Sequence, residues 1–272
     1  MSIRSVCAVL VGVLLYALPA SAEAKLSVGE IDLLFRQAND AFQQANALSK
    51  NPEGAKKLYE KAILIYEKIV NEGRIENAKL YYNLGNAYFL KEDIGRAILN
   101  YRRALNLDRA DQNIRKNLEF ARDRRIDKVP VKAEKRVVQT LFFWHYDFSL
   151  KTKFVLSCTF FAIVCVSLTA MVWLGRSAPA TAAAVICVVL MMSFFVSEVL
   201  EARERASKTS GVIIAEQVVA HQADWESSPP SFKEPLHAGT EFELIERRRG
   251  WVHIRLSDDS DGWVPIDSAE LI

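Results

Sequence analysis

Four histidines, His145, His221, His237 and His253, and the acidic run at residues 258–261 are the side chains of this chain that invite a search for chemistry. The histidines are scattered, with neither the His-Glu-x-x-His spacing that puts two imidazoles on one helical face nor a cysteine at zinc-ligand spacing. His253 alternates with the apolar residues of a strand and is expected on the surface. Asp258, Asp259 and Asp261 fall in a turn and lack the long loop and distal Glu of a calcium hand, so a solvated turn is expected. Cys7 lies near the N-terminus, and Cys158, Cys165 and Cys187 lie in apolar runs. The water-exposed parts therefore carry no disulfide framework and no CxxC metal site. With no glycine-rich phosphate loop and no nucleophile beside a base, a non-enzymatic protein without cofactor or metal is expected. Glu198 stands inside an apolar run. An ionisable group there is a functional candidate by default, but its place near the run's end favours a side chain snorkelling to water.

The elements that could position a binding surface are clearest at residues 78–111, AKLYYNLGNAYFLKEDIGRAILNYRRALNLDRAD. Tyr81, Leu84 and Tyr88 recur at i, i+3, i+7, and Ala97, Tyr101 and Ala104 at i, i+4, i+7, each set lining one helical face. Gly85 and Ala97 are small enough to let two helix backbones approach closely. This order of aromatic, Leu-Gly, Tyr, then Ala, aromatic and Ala resembles the tetratricopeptide repeat family. Arg109 stands where the family closes with proline, so a looser turn into the next helix is expected. The resemblance implies two antiparallel helices and a concave groove for an extended peptide of a protein partner. Lys79, Tyr82, Asn83, Asn86, Phe89 and Leu90, opposite the packing seam of the first helix, would line it. Asn83 and Asn86 would hold peptide backbone through paired amide contacts, or else cap or solvate the helix.

The same pattern is fainter upstream. Residues 29–49 predict a helix with Ile31, Leu34, Phe35, Ala38 and Phe42 on one face, and Asn51-Pro52 breaks it. A second helix follows over residues 53–70, where Ala62, Tyr66 and Ile69 echo Ala97, Tyr101 and Ala104. The pair reads as a degenerate first repeat, enlarged by an insertion between its helices, with Asn39 at the position of Gly85. Residues 112–125 predict a capping helix with Ile114, Leu118 and Ala121 inward, since the outermost helix of a stack must offer a polar face to water. Residues 23–128 form this repeat domain.

Half of the 272 residues are hydrophobic, and three apolar runs take a large share of them. The first opens the chain. Arg4, an apolar stretch over residues 6–18 and Ala20-Ser21-Ala22 make the pattern of a secretory signal over residues 1–22, with an uncleaved anchor as the alternative. Residues 154–174 carry no charge and residues 178–200 only Glu198, and each run is long enough to cross a bilayer core of roughly 30 Å. The two are separated by three residues, Gly175, Arg176 and Ser177, which predicts a tight transmembrane hairpin returning the chain to the side it left. Residues 129–153 flank it with an aromatic run, residues 141–146, and the cationic anchors Lys151 and Lys153. Residues 102–136 hold 12 Lys and Arg against 6 Asp and Glu, and this basic excess conflicts with the export that the signal predicts. Long domains translocate largely regardless of charge, so export is expected to win, leaving the basic flank to meet anionic lipid. The net charge of +2 is too small to imply a nucleic-acid partner.

Residues 211–272 change character. Short β-rich runs at residues 211–214, 216–220, 240–246, 251–256 and 262–265 are separated by turn signals such as Arg249-Gly250. The string LHAGTEFELIERRRGWVHIRLSDDSDGWVP resembles bacterial SH3-like barrels, with Gly-Thr before a strand, Trp opening the next and Gly-Trp after a tight turn. Trp251 and Trp263 could form a ligand platform for a short peptide or a cell-wall stem peptide, although at least one of them is expected in the core. The fold class is therefore a multidomain membrane protein: tetratricopeptide helices, a two-helix transmembrane hairpin and a small all-β SH3-like barrel. The order of parts, with LYYNLGNAYF and NLEFAR, resembles the BatE family of the Bacteroides aerotolerance operons. That resemblance implies an adapter in the bacterial inner membrane with both soluble domains periplasmic. Its partners would be the lipid bilayer, von Willebrand-type proteins and a MoxR-type ATPase, and a peptidoglycan receptor is the alternative.

Overall fold

A computed structural model describes residues 26–48, 51–130, 137, 140–175, 177–207 and 209–272. The expected signal segment, residues 1–22, lies outside the described residues.

Helices α1 (Val28–Ala47), α2 (Pro52–Asn71), α3 (Ala78–Leu90), α4 (Ile94–Leu107) and α5 (Gln112–Arg124) stack as consecutive antiparallel neighbours. Each starts where a short polar side chain accepts a backbone N–H of the first turn: Ser27, Asn51, Asn77, Asp93 and Asp111. Such caps satisfy donors that a helix start leaves unpaired and are worth ~1 kcal/mol each. Ser27 and Glu30 close a reciprocal capping box. The core interleaves small residues with phenols, Ala38, Ala62, Gly85 and Ala97 against Tyr66 and Tyr101. A Cβ at Gly85 would stand 2.7 Å from the ring of Tyr101, so glycine here is a requirement of close packing.

The first hairpin corrects the sequence expectation in two ways. Its extra length is in the helices, 20 residues each against 13 and 14 in α3 and α4, and the connection between them is short. Its small-residue position is Ala38, not Asn39. The Tyr66 hydroxyl donates to Asn39 at 2.6 Å as Tyr101 donates to Asn86 at 2.7 Å, so Asn39 matches Asn86 and Ala38 matches Gly85.

A short helix α6 (Phe143–Asp147) leads into α7 (Leu150–Leu174) and α8 (Ala178–Ser207), which pack on each other along their length. Both are long and apolar enough to cross a membrane, over Leu150–Trp173 and Ala178–Arg203, with mean hydropathy 2.3 and 2.4. Little of either is buried in the rest of the protein, unlike the core helix of a soluble fold. The second helix continues beyond the expected limit at residue 200.

The C-terminal region is a small antiparallel unit. Strands β1 (Ser210–Ile213), β4 (Glu241–Arg248), β5 (Trp251–Arg255), β6 (Asp261–Pro265) and β7 (Ala269–Leu271) make a five-stranded sheet in the order β6-β5-β4-β1-β7. Strands β2 (Gln217–Val218) and β3 (Leu236–His237) pair separately. Strands β6 and β7 are the edges of the larger sheet. Neither β3 nor β7 was legible as a strand. The β4–β5 hairpin turns at Arg249-Gly250, with Gly250 at φ +82°, and a register shift lies between Leu244 and Glu246.

The sheet does not stand apart from the helices. Along β1, Ile213 points into the sheet's own core, whereas Val212 is buried in the helical core, where Ile214 and Ile272 also pack. Gly95 makes this approach possible: a Cβ there would stand 2.9 Å from the carbonyl oxygen of Ile213 and 3.2 Å from Cβ of Ala238. Gly95→Val is expected to force the sheet off α4 at a cost of about 1–3 kcal/mol, read as a lower thermal unfolding midpoint of the detergent-purified chain.

Candidate functional site

The inner face of the helical stack is lined by α1, α3 and α5, and a ladder of amides and phenols crosses it. Asn83 donates through Nδ2 to Oδ1 of Asn39 at 3.1 Å, and Tyr66 donates to the same oxygen. One step along, Asn117 donates to Oδ1 of Asn86 at 2.8 Å, Tyr101 donates to the same oxygen, and Asn117 also donates to the Tyr82 hydroxyl at 3.1 Å. The two rungs repeat because Asn83 and Asn117 stand one repeat length apart. Burial pushes the Tyr66 phenol up to about 12, against the small opposing effect of Asn83, and burial also raises Tyr101. Both phenols keep their protons near neutral pH and remain donors. A half-satisfied buried network costs more than an apolar one, so Asn117→Leu, which takes one of two donors from Asn86 and the Asn117 donor from the Tyr82 hydroxyl, is expected to lower stability by about 1–3 kcal/mol. Chemical denaturation of the purified chain measures it.

The residues expected to line a groove divide into two groups. Tyr82, Asn83 and Asn86 are half-buried and committed to the ladder, so these asparagines brace neighbouring helices. Lys79 and Leu90 are exposed, and Phe89 is half-buried. Phe89 packs on Phe120 of α5 with ring centroids 5.4 Å apart. The guanidinium of Arg124 lies 5.2 Å from the Phe120 centroid and 5.9 Å from that of Phe89. Phe120 is 53% exposed, which makes this aromatic pair with its cation the open end of the face. Asn39, Asn117, Phe120 and Arg124 were not among the expected groove residues. The signal for Asn117 and Phe120 was present, because they follow Asn83 and Asn86 by one period.

On the outer face, the sheet docks through a half-buried carboxylate. Glu241 on β4 accepts two bonds from Arg122, both at 2.7 Å, and one from Arg125 at 3.2 Å, and Arg102 lies 3.5 Å away. Burial pushes the carboxyl up, but the Arg122 bonds and the surrounding guanidinium charges more than offset it, holding the group below its ordinary range. Asp127, beyond α5, accepts from the backbone N–H of His237 at 2.7 Å and from the hydroxyl of Thr240 at 2.5 Å, and pairs with the His237 ring. Burial raises its carboxyl, and these bonds bring it below the usual value. Arg103 donates to Glu270 at 2.9 Å and to the carbonyl of Leu271 at 2.7 Å.

The two tryptophans are placed unequally. Trp263 is 6% exposed, covered by His253, stacked on it at 4.6 Å, and by Arg248, 4.6 Å from its centroid, and it lies outside the sheet's apolar core. Trp251 is half-buried, its ring set edge to face against His221. The expected surface residue His253 is thus half-buried, with Nε2 2.8 Å from Asp261. The turn around Asp258 is closed by that carboxylate accepting from Ser260. Among the described residues no group of His, Cys, Asp and Glu could hold a metal ion.

The helical stack is also tied to the base of the apolar hairpin. Lys153 on α7 and Glu201 on α8 are both buried and 2.5 Å apart, and Lys153 donates as well to the carbonyl of His145 at 2.6 Å. Arg109, at the place of the family's proline, reaches Glu201 at 3.3 Å. Arg115 on α5 donates to Asp147 of α6 at 2.9 Å. The departure from the repeat pattern at Arg109 is therefore the point of contact with the hairpin. Glu201, beyond the expected end of the second run, carries the ion pair, while Glu198 has one buried oxygen without a hydrogen-bond partner.

No curated protein matches the chain. Residues 35–110 match the tetratricopeptide repeat family, and the stacked hairpins α1–α4 with their period-spaced ladder are consistent with a tetratricopeptide repeat region.

Proposed function

We propose that this chain is a non-enzymatic, membrane-anchored scaffold that holds a protein partner in the groove of its tetratricopeptide region. The observation that carries the proposal is the joining of that region to the base of two apolar, largely unburied helices through Arg109, Glu201 and Lys153. A domain of this family generally binds protein, and its attachment to the hairpin gives the partner a place at a membrane surface. The repeats and the C-terminal sheet share a core, which favours two crossings over one, because both folded parts must then lie on the same side. The signal-like residues 1–22 support the periplasmic side of a bacterial inner membrane.

The finer identity follows by resemblance. The sheet, with its Gly-Thr, Trp and Gly-Trp positions, is an SH3-like module, and the order of parts is that of BatE-type adapters. The partner would be a von Willebrand-type membrane protein of an aerotolerance complex with its MoxR-type ATPase. The reading as a peptidoglycan receptor has only Trp251 as a candidate contact, since His253 and Arg248 cover Trp263.

Groove variants must spare the ladder. Lys79→Glu combined with Phe120→Glu changes two exposed side chains of the inner face and is expected to abolish co-purification of the partner from detergent-solubilised membranes while leaving the unfolding midpoint within a few degrees. Undiminished co-purification with the double variant would sink the groove assignment.

A further inference from the structure

We infer that the cavity between the tetratricopeptide region and the first turn of α7 holds the head group of a phosphoethanolamine lipid. The inference rests on the membrane-anchored reading above. The cavity has a volume of about 540 Å³. Leu107, Asp108 and Arg109 at the end of α4 form one wall, Glu76 before α3 a second, and Leu150 and Lys151 of α7 a third.

Its level in the bilayer follows from the length of the span. The apolar stretch of α7 begins at Leu150 and has 24 residues. At 1.5 Å per residue it is ~36 Å long, more than the ~30 Å hydrocarbon core, so its first turn lies among the lipid head groups. Below the cavity the Lys153–Glu201 pair closes the gap between the two helices.

The lining has two cations, Arg109 and Lys151, and two carboxylates, Glu76 and Asp108. Arg109 already contacts Glu201, and one oxygen of Asp108 accepts the N–H of Ala110. Lys151 and Glu76 form no ion pair with any described residue. A purely anionic head group would meet the two carboxylates, and a purely cationic one the two cations. A zwitterion with phosphate toward Lys151 and ammonium toward Glu76 and Asp108 matches both signs. The primary ammonium has three N–H donors for those carboxylates, whereas a quaternary choline has none. Leu150, which starts the span, and Leu107, which is exposed, continue the site toward acyl chains.

The test uses the full chain purified in detergent, with co-purifying lipid read by native mass spectrometry. Short-chain phosphatidylethanolamine, phosphatidylcholine, phosphatidylglycerol and free phosphoethanolamine are then added in turn. Phosphatidylethanolamine is expected to be retained in preference to all three. Glu76→Gln and Lys151→Gln, both at exposed positions, should each weaken retention about tenfold, the loss of one charged hydrogen bond. Equal retention by wild type and both variants, a preference for phosphatidylglycerol or phosphatidylcholine, or equally tight binding of free phosphoethanolamine would overturn the lipid site. A sodium carbonate wash separates this from the anchoring itself. A chain that stays in washed membranes yet retains no phosphatidylethanolamine removes only the lipid site, whereas a chain released by the wash removes the anchor.

Discussion

Replacing Glu241 with alanine is expected to detach the C-terminal sheet from the helices and to cost about 3 kcal/mol, the low end of the penalty for removing one partner of a buried charge cluster, because the cluster is only partly buried. Three guanidinium groups, from Arg102, Arg122 and Arg125, converge on this carboxylate. Without it they repel one another where water reaches them poorly, and burial already pulls Arg102 below its ordinary value. The Nε atoms of Arg102 and Arg125 have no hydrogen-bond partner even in the intact cluster, so the site has no spare acceptor to take over. A split of one thermal unfolding transition into two, with early proteolysis near residue 208, is the expected signature. Glu241→Gln, which keeps the shape, should lose less.

The same carboxylate sets the acid limit of the junction. Its folded-state pKa lies below the ordinary 4.5, so its contribution is complete above about pH 4.5 and fades as the pH falls through the folded value. Asp127 acts in the same direction, with its pKa below the ordinary 3.8. Docking of the sheet should hold from neutral pH down to roughly 5 and then weaken. Intrinsic fluorescence of the tryptophans against pH checks it.

The second large effect is expected at Glu201. Glu201→Ala leaves Lys153 buried with one carbonyl for a partner and releases Arg109 from the hairpin. An unpaired ammonium in that position costs several kcal/mol, about 3–5 by analogy with other broken buried pairs. The double variant Lys153→Met with Glu201→Leu removes both charges together and should recover most of the loss in helix packing, because the desolvation cost disappears with the pair. It should not restore the link from Arg109. The expected result is a hairpin as stable as wild type but a helical region that protease releases more readily.

These contacts explain how far the sequence could be read. The periodicity of Tyr81, Leu84, Tyr88 and of Ala97, Tyr101, Ala104 is local, so the helices and their packing faces were legible. The apolar runs and most of the strands were legible for the same reason. Glu241 and its three arginines are not local: Arg122 is 119 positions away, and on a helix an arginine reads as a solvated face. Asn83 and Asn86 were singled out as residues opposite the packing seam, but their commitment to Asn39 and Asn117 depends on how successive helices stack. Lys153 was legible as a cation beside an apolar run. Its partner was not, because α8 continues without a break past the end of the apolar run. Arg109 was noticed as a departure from the family pattern, and the contact that uses it became visible only when α8 lay beside it.

A photo-crosslinking amino acid placed at position 120, on the open end of the groove, gives the most direct measurement of a held partner. The control is the same group at position 64, where Leu64 is 63% exposed on α2, outside the residues that line the groove. In intact membranes position 120 should yield one discrete protein adduct that Lys79→Glu suppresses, and position 64 should yield none. Equal adducts from both positions, or an adduct from position 64 alone, would contradict a scaffold that holds its partner in the tetratricopeptide groove.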